Sequence, residues 1–590
     1  MTVDTLRTRL TGLRIPAFQA INLWHWLVLV LVMFVVIAPV TLLVFGSFSA
    51  EKLPSDFTLD SLTIENYLDV WWESGIEGVL YNTVVYTTGA TVLGITLAVS
   101  LAWMVERSNL PYKIWVYAGV ILTLAMPGLL QSMAWVLLLS PRAGFINLQL
   151  MDLFGLESAP LNIYSLGGMI FIEGLRLVPT AFLMLVPLLR AMDPALEEAA
   201  ATSGAHPAST LRKVTLKLMI PGLMAVVIYQ AMSALETFEV PGILGMPAGI
   251  YVFSTKIYAI LSSASGIPNY GEASALSMAY LVVAVAAIAL YTRVISRSER
   301  YMIITGKGYR PRTLDLGVWR WPAFASVVAY LVLSVVLPLI VLIYISVIPY
   351  LQQPTAETLK TLTLDNYRFL FEADMVGIAL KNTVIVTIAA STGTVLVSFF
   401  ISLIVVRSKF WGRKLLDQLA FVPHAIPGIV MGLALLWLFI QIDKGGLHLA
   451  GSIWAITLGF IIAFMAYGTR AMNAAIMQIH KDLEEAAYVS GAVHWRTMWR
   501  IFYPLMIPTF VGVWVWTMLH AVRLTSLPLI LYEGPQNQVL SVIIWNMWDE
   551  GNLGAVGAIG APMVVALFIV TVGLRVIGFG DDRKSQKAGK

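Results

Sequence analysis

Five ionisable side chains stand inside otherwise apolar stretches: Glu173, Arg176, Glu236, Glu239 and Arg523. A charge within a lipid-crossing segment is costly and is kept where a water-filled route or an ion pair holds it. Glu173 and Arg176 lie three residues apart, which predicts a local pair on one helix. Glu236, Glu239 and Arg523 are the candidates for a route, with a solvated place at the membrane edge or a structural pair as the alternatives. A second pattern is Glu198-Ala199-Ala200, three residues, then Gly204, which returns as Glu485-Ala486-Ala487, three residues, then Gly491. Asp193-Pro194 ahead of the first copy reads as an N-cap and a proline at the first helical position. Glu197 and Glu198 then sit near the positive end of the helix, and the alanines give a slim face that a partner groove can approach. Gly204 and Gly491 fit helix C-termini that turn through a left-handed residue. This is the chemistry of docking, not of bond making. H-E-x-x-H, G-x-S-x-G and G-x-x-x-x-G-K-[ST] are all absent, and there is no cysteine. The seven histidines form no H-x-x-H cluster, so no metal ligand is assigned.

The elements that position these groups are membrane helices. Of 590 residues, 58% are hydrophobic and 12% charged, about half the charged share of a soluble chain. Apolar runs of membrane-crossing length fall at about 23–49, 79–105, 114–140, 161–191, 218–243 and 270–293. A second set follows at about 323–350, 378–406, 414–441, 450–476, 503–530 and 555–577. Helices satisfy their own backbone in lipid, so the expectation is an all-α polytopic membrane protein of twelve transmembrane helices. The first run follows Arg7, Arg9 and Arg14, has no small-residue cleavage site, and reads as a span, not a removed signal. The net charge of +4 is loop bias, and gives no reason to expect nucleic acid as a partner.

Basic residues choose the orientation. Arg293, Arg297, Arg300, Lys307, Arg310, Arg312 and Arg320 crowd the segment between the two sets, and Arg407, Lys409, Arg413 and Lys414 crowd another short loop. The loop after the first run carries Glu51, Asp56, Asp60, Glu65, Asp69, Glu73 and Glu77 against Lys52. In the twelve-span layout the basic loops share one side, which places both termini in the cytoplasm. The expected divisions are a tail 1–22, a first half 23–293, a basic linker 294–322, a second half 323–577 and a tail 578–590.

The chain repeats itself. TLDSLTIENY at 58–67 matches TLKTLTLDNY at 358–367, an offset of 300 at which Asn82-Thr83-Val84 also meets Asn382-Thr383-Val384. Arg107 meets Arg407 and Pro127-Gly128 meets Pro427-Gly428 at the same offset. Further on, LEEAAATSG at 196–204 matches LEEAAYVSG at 483–491, an offset of 287 kept by Pro221 and Pro508 and by Pro241 and Pro528. The first half therefore carries 13 extra residues, expected in the 141–160 loop. Two copies with even span counts share orientation, so the halves form parallel six-helix repeats about an axis along the membrane normal.

The repeated Glu-Ala-Ala…Gly segment resembles the EAA loop of type I ABC importer permeases, and the resemblance extends over nearly the whole chain. In that family the loop docks into a cleft on the ATPase subunit. Ile501 and Pro504 continue the family pattern in the second copy; the first has Val214 but Lys217 where the proline is expected. The resemblance implies coupling roles for Glu198, Ala199, Ala200, Gly204, Glu485, Ala486, Ala487 and Gly491, and a translocation path beside the fifth span of each half. It implies two copies of an ATPase subunit, which would hold ATP and magnesium while this chain binds no cofactor. It further implies an extracytoplasmic solute-binding protein, a location in the bacterial inner membrane, and alternating access with no catalytic residue in this chain.

The segments 236–258 and 527–560 resemble the fused permeases of the ferric-iron uptake subfamily, whose relatives handle polyamines, thiamine, sulfate and phosphonates. Ferric iron is the expected solute. An ion-coupled secondary transporter is the rival class, since parallel halves of six spans also describe the major facilitator architecture. Its G-x-x-x-D-R-x-G-R-R-like loop does not appear in ERSNLPYK at 106–113 or RSKFWGRK at 407–414.

Overall fold

Runs rich in leucine, valine and alanine must satisfy their backbone internally in lipid, and here they do so as helices. The computed structural model describes residues 16–58, 60–72, 75–192, 195–262, 268–298, 313–491 and 493–588, and among these there is no β-strand. Nine helices of the described residues are long and apolar enough to cross a membrane, and four further helix pairs are bent within one apolar stretch, giving up to 13 spans. The expected Asp193-Pro194 cap and residues 299–312 of the basic segment 294–322 lie outside the described residues. So does most of the tail 1–22, whereas the last helix, Leu553–Ala588, continues into the stretch read as a tail.

The bends have a sequence cause. The third apolar run of each set, expected as a single span, breaks at Pro127 and Pro427, by 95° and 114°. Proline pushes the residue before it out of the helical region, and Met126 and Ile426 are both extended, at ψ 117°. The fifth runs differ from expectation too. The helix Leu216–Glu236 stops at Glu236, and Tyr503–Arg523 stops at Arg523, each followed by extended backbone and a separate short helix.

Equivalent side chains make equivalent bonds in the two halves. Asn66 donates to the Ser47 and Ser49 carbonyls at 3.2 and 2.7 Å, and Asn366 to those of Ser346 and Ile348 at 3.1 and 2.8 Å. Thr83 accepts from the Phe253 N–H at 3.2 Å and Thr383 from the Leu540 N–H at 2.8 Å. The 13 extra residues of the first half fold as predicted into the loop before the fourth run. They include the helix Phe145–Phe154, anchored by Asn147, which donates to the carbonyls of Leu139, Ser140 and Leu161.

The halves cross over one another. The first helix, Pro16–Ser47, packs on the bent run of the second half: Leu29, Val32 and Val36 share a buried cluster with Leu416 and Leu419. Trp437, fully buried, lies against Gly46 and donates its indole N–H to Ser274 Oγ at 3.1 Å. In return Gln131 on the bent run of the first half donates to the Ser334 carbonyl at 3.2 Å, and Thr123 meets the Tyr330 hydroxyl at 3.1 Å.

Candidate functional site

The two Glu-Ala-Ala segments fold alike. Glu198, Ala199 and Ala200 lie on the helix Ala195–Thr202, and Glu485, Ala486 and Ala487 on Lys481–Val489. The first helix closes as the Ser203 and Ala205 N–H groups donate to the Ala199 and Ala200 carbonyls, at 3.1 and 3.0 Å. Gly204 and Gly491 then take φ +78° and +79°, the left-handed conformation expected of them, and a Cβ at either would meet open space. Backbone conformation, not packing, is what these glycines supply. Ala199, Gly204, Glu485, Ala486 and Gly491 are exposed, while Glu198, Ala200 and Ala487 are half-buried.

After each glycine comes a four-residue helix and then a π-helical turn, Leu211–Thr215 in one half and Met498–Phe502 in the other. Both turns run into the long helix that ends at Glu236 or Arg523. Lys217, standing where proline is expected, leaves the same succession of short helix, π-turn and long helix as around Pro504, but the first half then bends by 73° at Pro221 while Met498–Arg523 runs on as one span. Sequence reasoning missed the part played by Glu197. Its Oε2 lies 3.0 Å from Arg107 Nε, and its Oε1 accepts from the Thr215 hydroxyl at 2.7 Å. Glu198, the acid singled out for coupling, is its neighbour.

The intramembrane charges gather near the bend at Pro127. Glu173 and Arg176 form the local pair expected of them, bidentate at 2.9 and 2.7 Å, with Glu173 fully buried. The pair reaches further than its own helix. Arg176 also donates to Thr237 Oγ1, whose hydroxyl lies 3.0 Å from Glu173 Oε1, so the start of the segment after Glu236 is tied to the fourth run. A Cβ on Gly128 would stand 3.2 Å from Arg176 Cδ and 3.9 Å from Glu239 Cβ, which leaves glycine as the residue that lets these two approach the bend.

Glu239 is buried, and its Oε1 accepts from the Thr525 N–H of the second half at 3.3 Å. Arg176 lies within Coulombic reach of Glu236, Glu239 and Arg523. Glu236 and Arg523 are half-buried at the C-termini of their helices. The structure thus brings the three route candidates into one neighbourhood with the Glu173–Arg176 pair. The equivalent place in the second half is uncharged: Ser526, at the 287 offset from Glu239, sets its Oγ 2.7 Å from where a Cβ on Gly428 would be. Broken helices with ionisable groups at the break are the construction found where transporters hold solute.

Residues 394–579 match the family described as binding-protein-dependent transport system inner membrane component. The ferric transport system permease protein FbpB of Actinobacillus pleuropneumoniae is 26% identical over 485 residues, covering 82% of this chain and 68% of the relative. The Fe(3+)-transport system permease protein FbpB 2 of Haemophilus influenzae is 19% identical over 480 residues, covering 81% of this chain and 85% of the relative. Among solved structures, one chain of a bacterial ABC transporter that imports the acidic polysaccharide alginate aligns with 44% of this chain and 94% of its own length. Its TM-score is 0.36 and its sequence identity 18%.

Proposed function

We propose that this chain is the membrane permease of an ABC importer, a transport subunit, and that it carries ferric iron inward by alternating access. The observation that carries the mechanism is the pair of matched segments, each a short, partly exposed Glu-Ala-Ala helix closed by a left-handed glycine and joined through a π-turn to a long helix. Two such segments fit two copies of an ATPase subunit, which hold ATP and magnesium while this chain binds neither. An extracytoplasmic binding protein delivers the solute from the other face, and much of the selectivity rests with it. ATP binding draws the ATPase subunits together, the segments move with them, and the halves rock open outward; hydrolysis resets the inward-facing state.

The repeated hydrogen bonds at offsets of 300 support two parallel six-helix halves. In this layout the spans number twelve, with the bent pair Pro241–Leu261 entering the membrane without crossing it. Both termini then face the cytoplasm of a bacterial cell, and the protein sits in the inner membrane. Glu198, Ala199, Ala200, Gly204, Glu485, Ala486, Ala487 and Gly491 serve coupling, and Glu236, Glu239 and Arg523 border the route. The printed names of the ferric transport relatives support iron as the solute. Polyamine, thiamine, sulfate or phosphonate would use the same machinery.

The test is affinity purification of the chain from its native membrane, wild type beside the Gly204→Asp, Gly491→Asp double variant. An ATPase subunit is expected with wild type and not with the variant, at equal membrane insertion. Wild type recovered alone, and active on an ion gradient, would overturn the reading in favour of secondary transport. Uptake of radiolabelled ferric iron by cells with and without the chain tests the solute, with thiamine, sulfate and spermidine as parallel arms.

A further inference from the structure

Arg107, at the end of the helix Ile76–Arg107, has a side chain only 4% exposed. Its Nη2 donates to the Leu189 and Met192 carbonyls at 2.8 and 3.5 Å, where the helix Leu166–Ala191 ends. Carbonyls at a helix C-terminus lack their full set of intrahelical partners, Leu189 having only a long 3.4 Å bond from the Met192 N–H, and a cation there is doubly favourable. Its Nε faces Glu197 Oε2 at 3.0 Å. The other oxygen of that carboxylate takes the hydroxyl of buried Thr215, the last residue of the π-turn before Leu216–Glu236.

One ion pair therefore ties the helix Ala195–Thr202 to three long helices at once. The third of them ends at Glu236, within reach of the buried charges around Arg176. The Nε–Oε2 contact is an ion pair without hydrogen-bond geometry. The directional links are the Arg107 Nη2 bond to the Leu189 carbonyl and the Thr215 hydroxyl bond to Glu197, and the ion pair joins the two by charge.

We propose that Arg107 and Glu197 are positioning residues of the transport cycle, a strut that transmits movement of the Ala195–Thr202 helix into the spans of the first half. The proposal rests on the reading of that helix as the ATPase-docking element. The strut accounts for the division between neighbouring acids: Glu197 is engaged inward by Arg107 and Thr215, and Glu198 is the one left to a partner. The second half differs at the position of Thr215. Arg407 likewise donates to two terminal carbonyls, of Ile476 at 3.1 Å and Ile479 at 2.5 Å. At the 287 offset from Thr215 stands Phe502, whose ring lies 5.4 Å from the Arg407 guanidinium carbon. A phenyl ring has no hydroxyl to donate, so position 502 does not supply the bond that Thr215 makes.

The chain has no cysteine, which makes site-directed spin labelling direct. Labels at Tyr81→Cys and Lys381→Cys, equivalent positions of the two halves, report their separation in the complex with its ATPase subunits. Wild type is expected to shift its distance distribution on addition of ATP and vanadate. Glu197→Gln should still capture the ATPase and hydrolyse ATP, but with the shifted population reduced about five-fold or more. Thr215→Val should reduce it in the same direction, and Thr215→Ser should restore it. A Glu197→Gln complex that shifts as wild type does would overturn the proposal. So would one that no longer captures the ATPase, since Glu197 would then be a docking contact. If Glu197→Gln fails to insert, the Thr215 pair decides, and equal shifts in Val and Ser variants overturn it. Failure of wild type to capture any ATPase would instead sink the docking reading on which the strut depends.

Discussion

Glu239 of the first half accepts a hydrogen bond from the buried backbone N–H of Thr525 in the second, at 3.3 Å. Glutamine at 239 keeps an acceptor oxygen and loses the charge, whereas leucine loses both. Thermal unfolding of the purified chain should therefore leave Glu239→Gln near wild type and Glu239→Leu about 1–3 kcal/mol less stable, the cost of a buried donor left unpaired. Uptake should fall in both, because the charge beside Arg176 is gone in both. Full uptake by the glutamine variant would remove Glu239 from the route.

Glu173, fully buried, is the counter-charge of the half-buried Arg176. Removing it alone, as Glu173→Gln, should cost about 3–5 kcal/mol, as breaking a buried pair does. The double variant Glu173→Gln, Arg176→Gln should recover a substantial part of that loss. Denaturation midpoints of Glu173→Gln, Arg176→Gln and the double variant in one detergent check the pattern. A double variant worse than the sum of the singles would contradict it.

Gly204 offers a cleaner separation of conformation from contact. Nothing lies where its Cβ would go, yet its φ is +78°. Asparagine visits that region readily and valine does not, and a left-handed non-glycine residue costs roughly 1–2 kcal/mol. Gly204→Asn should retain ATPase capture and Gly204→Val should lose most of it, at equal expression. Equal capture by both would show that the turn is not needed for docking.

Asn82 and Asn382 differ by one bond. Asn82 donates to the Tyr251 carbonyl at 3.1 Å, and Asn382 to both the Gln536 and Gln538 carbonyls at 2.8 and 2.9 Å. At about 1 kcal/mol per net hydrogen bond, Asn382→Ala should destabilise by about 1 kcal/mol more than Asn82→Ala. Paired thermal melts measure the difference.

Much of this was legible in the residues. Asn66, Asn82, Thr83 and Arg107 stand out from self-comparison alone, and each makes the same kind of bond as its partner 300 residues on. The left-handed glycines followed from their place after an alanine helix. The right-angled breaks at Pro127 and Pro427 were also available, since proline restricts the residue before it, but hydropathy averages over a window and cannot register a change of direction. What sequence could not supply was the choice between Glu197 and Glu198. Both are equally good helix-start acids, and only the approach of Arg107, 90 positions away, tells them apart. The gathering of Glu239 with Arg176 and Thr525 is likewise a tertiary fact, set by how the halves fold against each other.

The crossing of the halves has a consequence for biogenesis. Leu29, Val32 and Val36 find their protein neighbours around Leu416, which leaves the ribosome on the order of tens of seconds later at ordinary rates of synthesis. Until then the first helix has lipid for company on that face, and so does the site where Trp437 will cover Gly46. The nascent first half is thus an unfinished surface that only its own later sequence completes. Carrying both halves on one polypeptide guarantees the partner at equal dose and in the same patch of membrane, where two separate chains would have to find each other by diffusion.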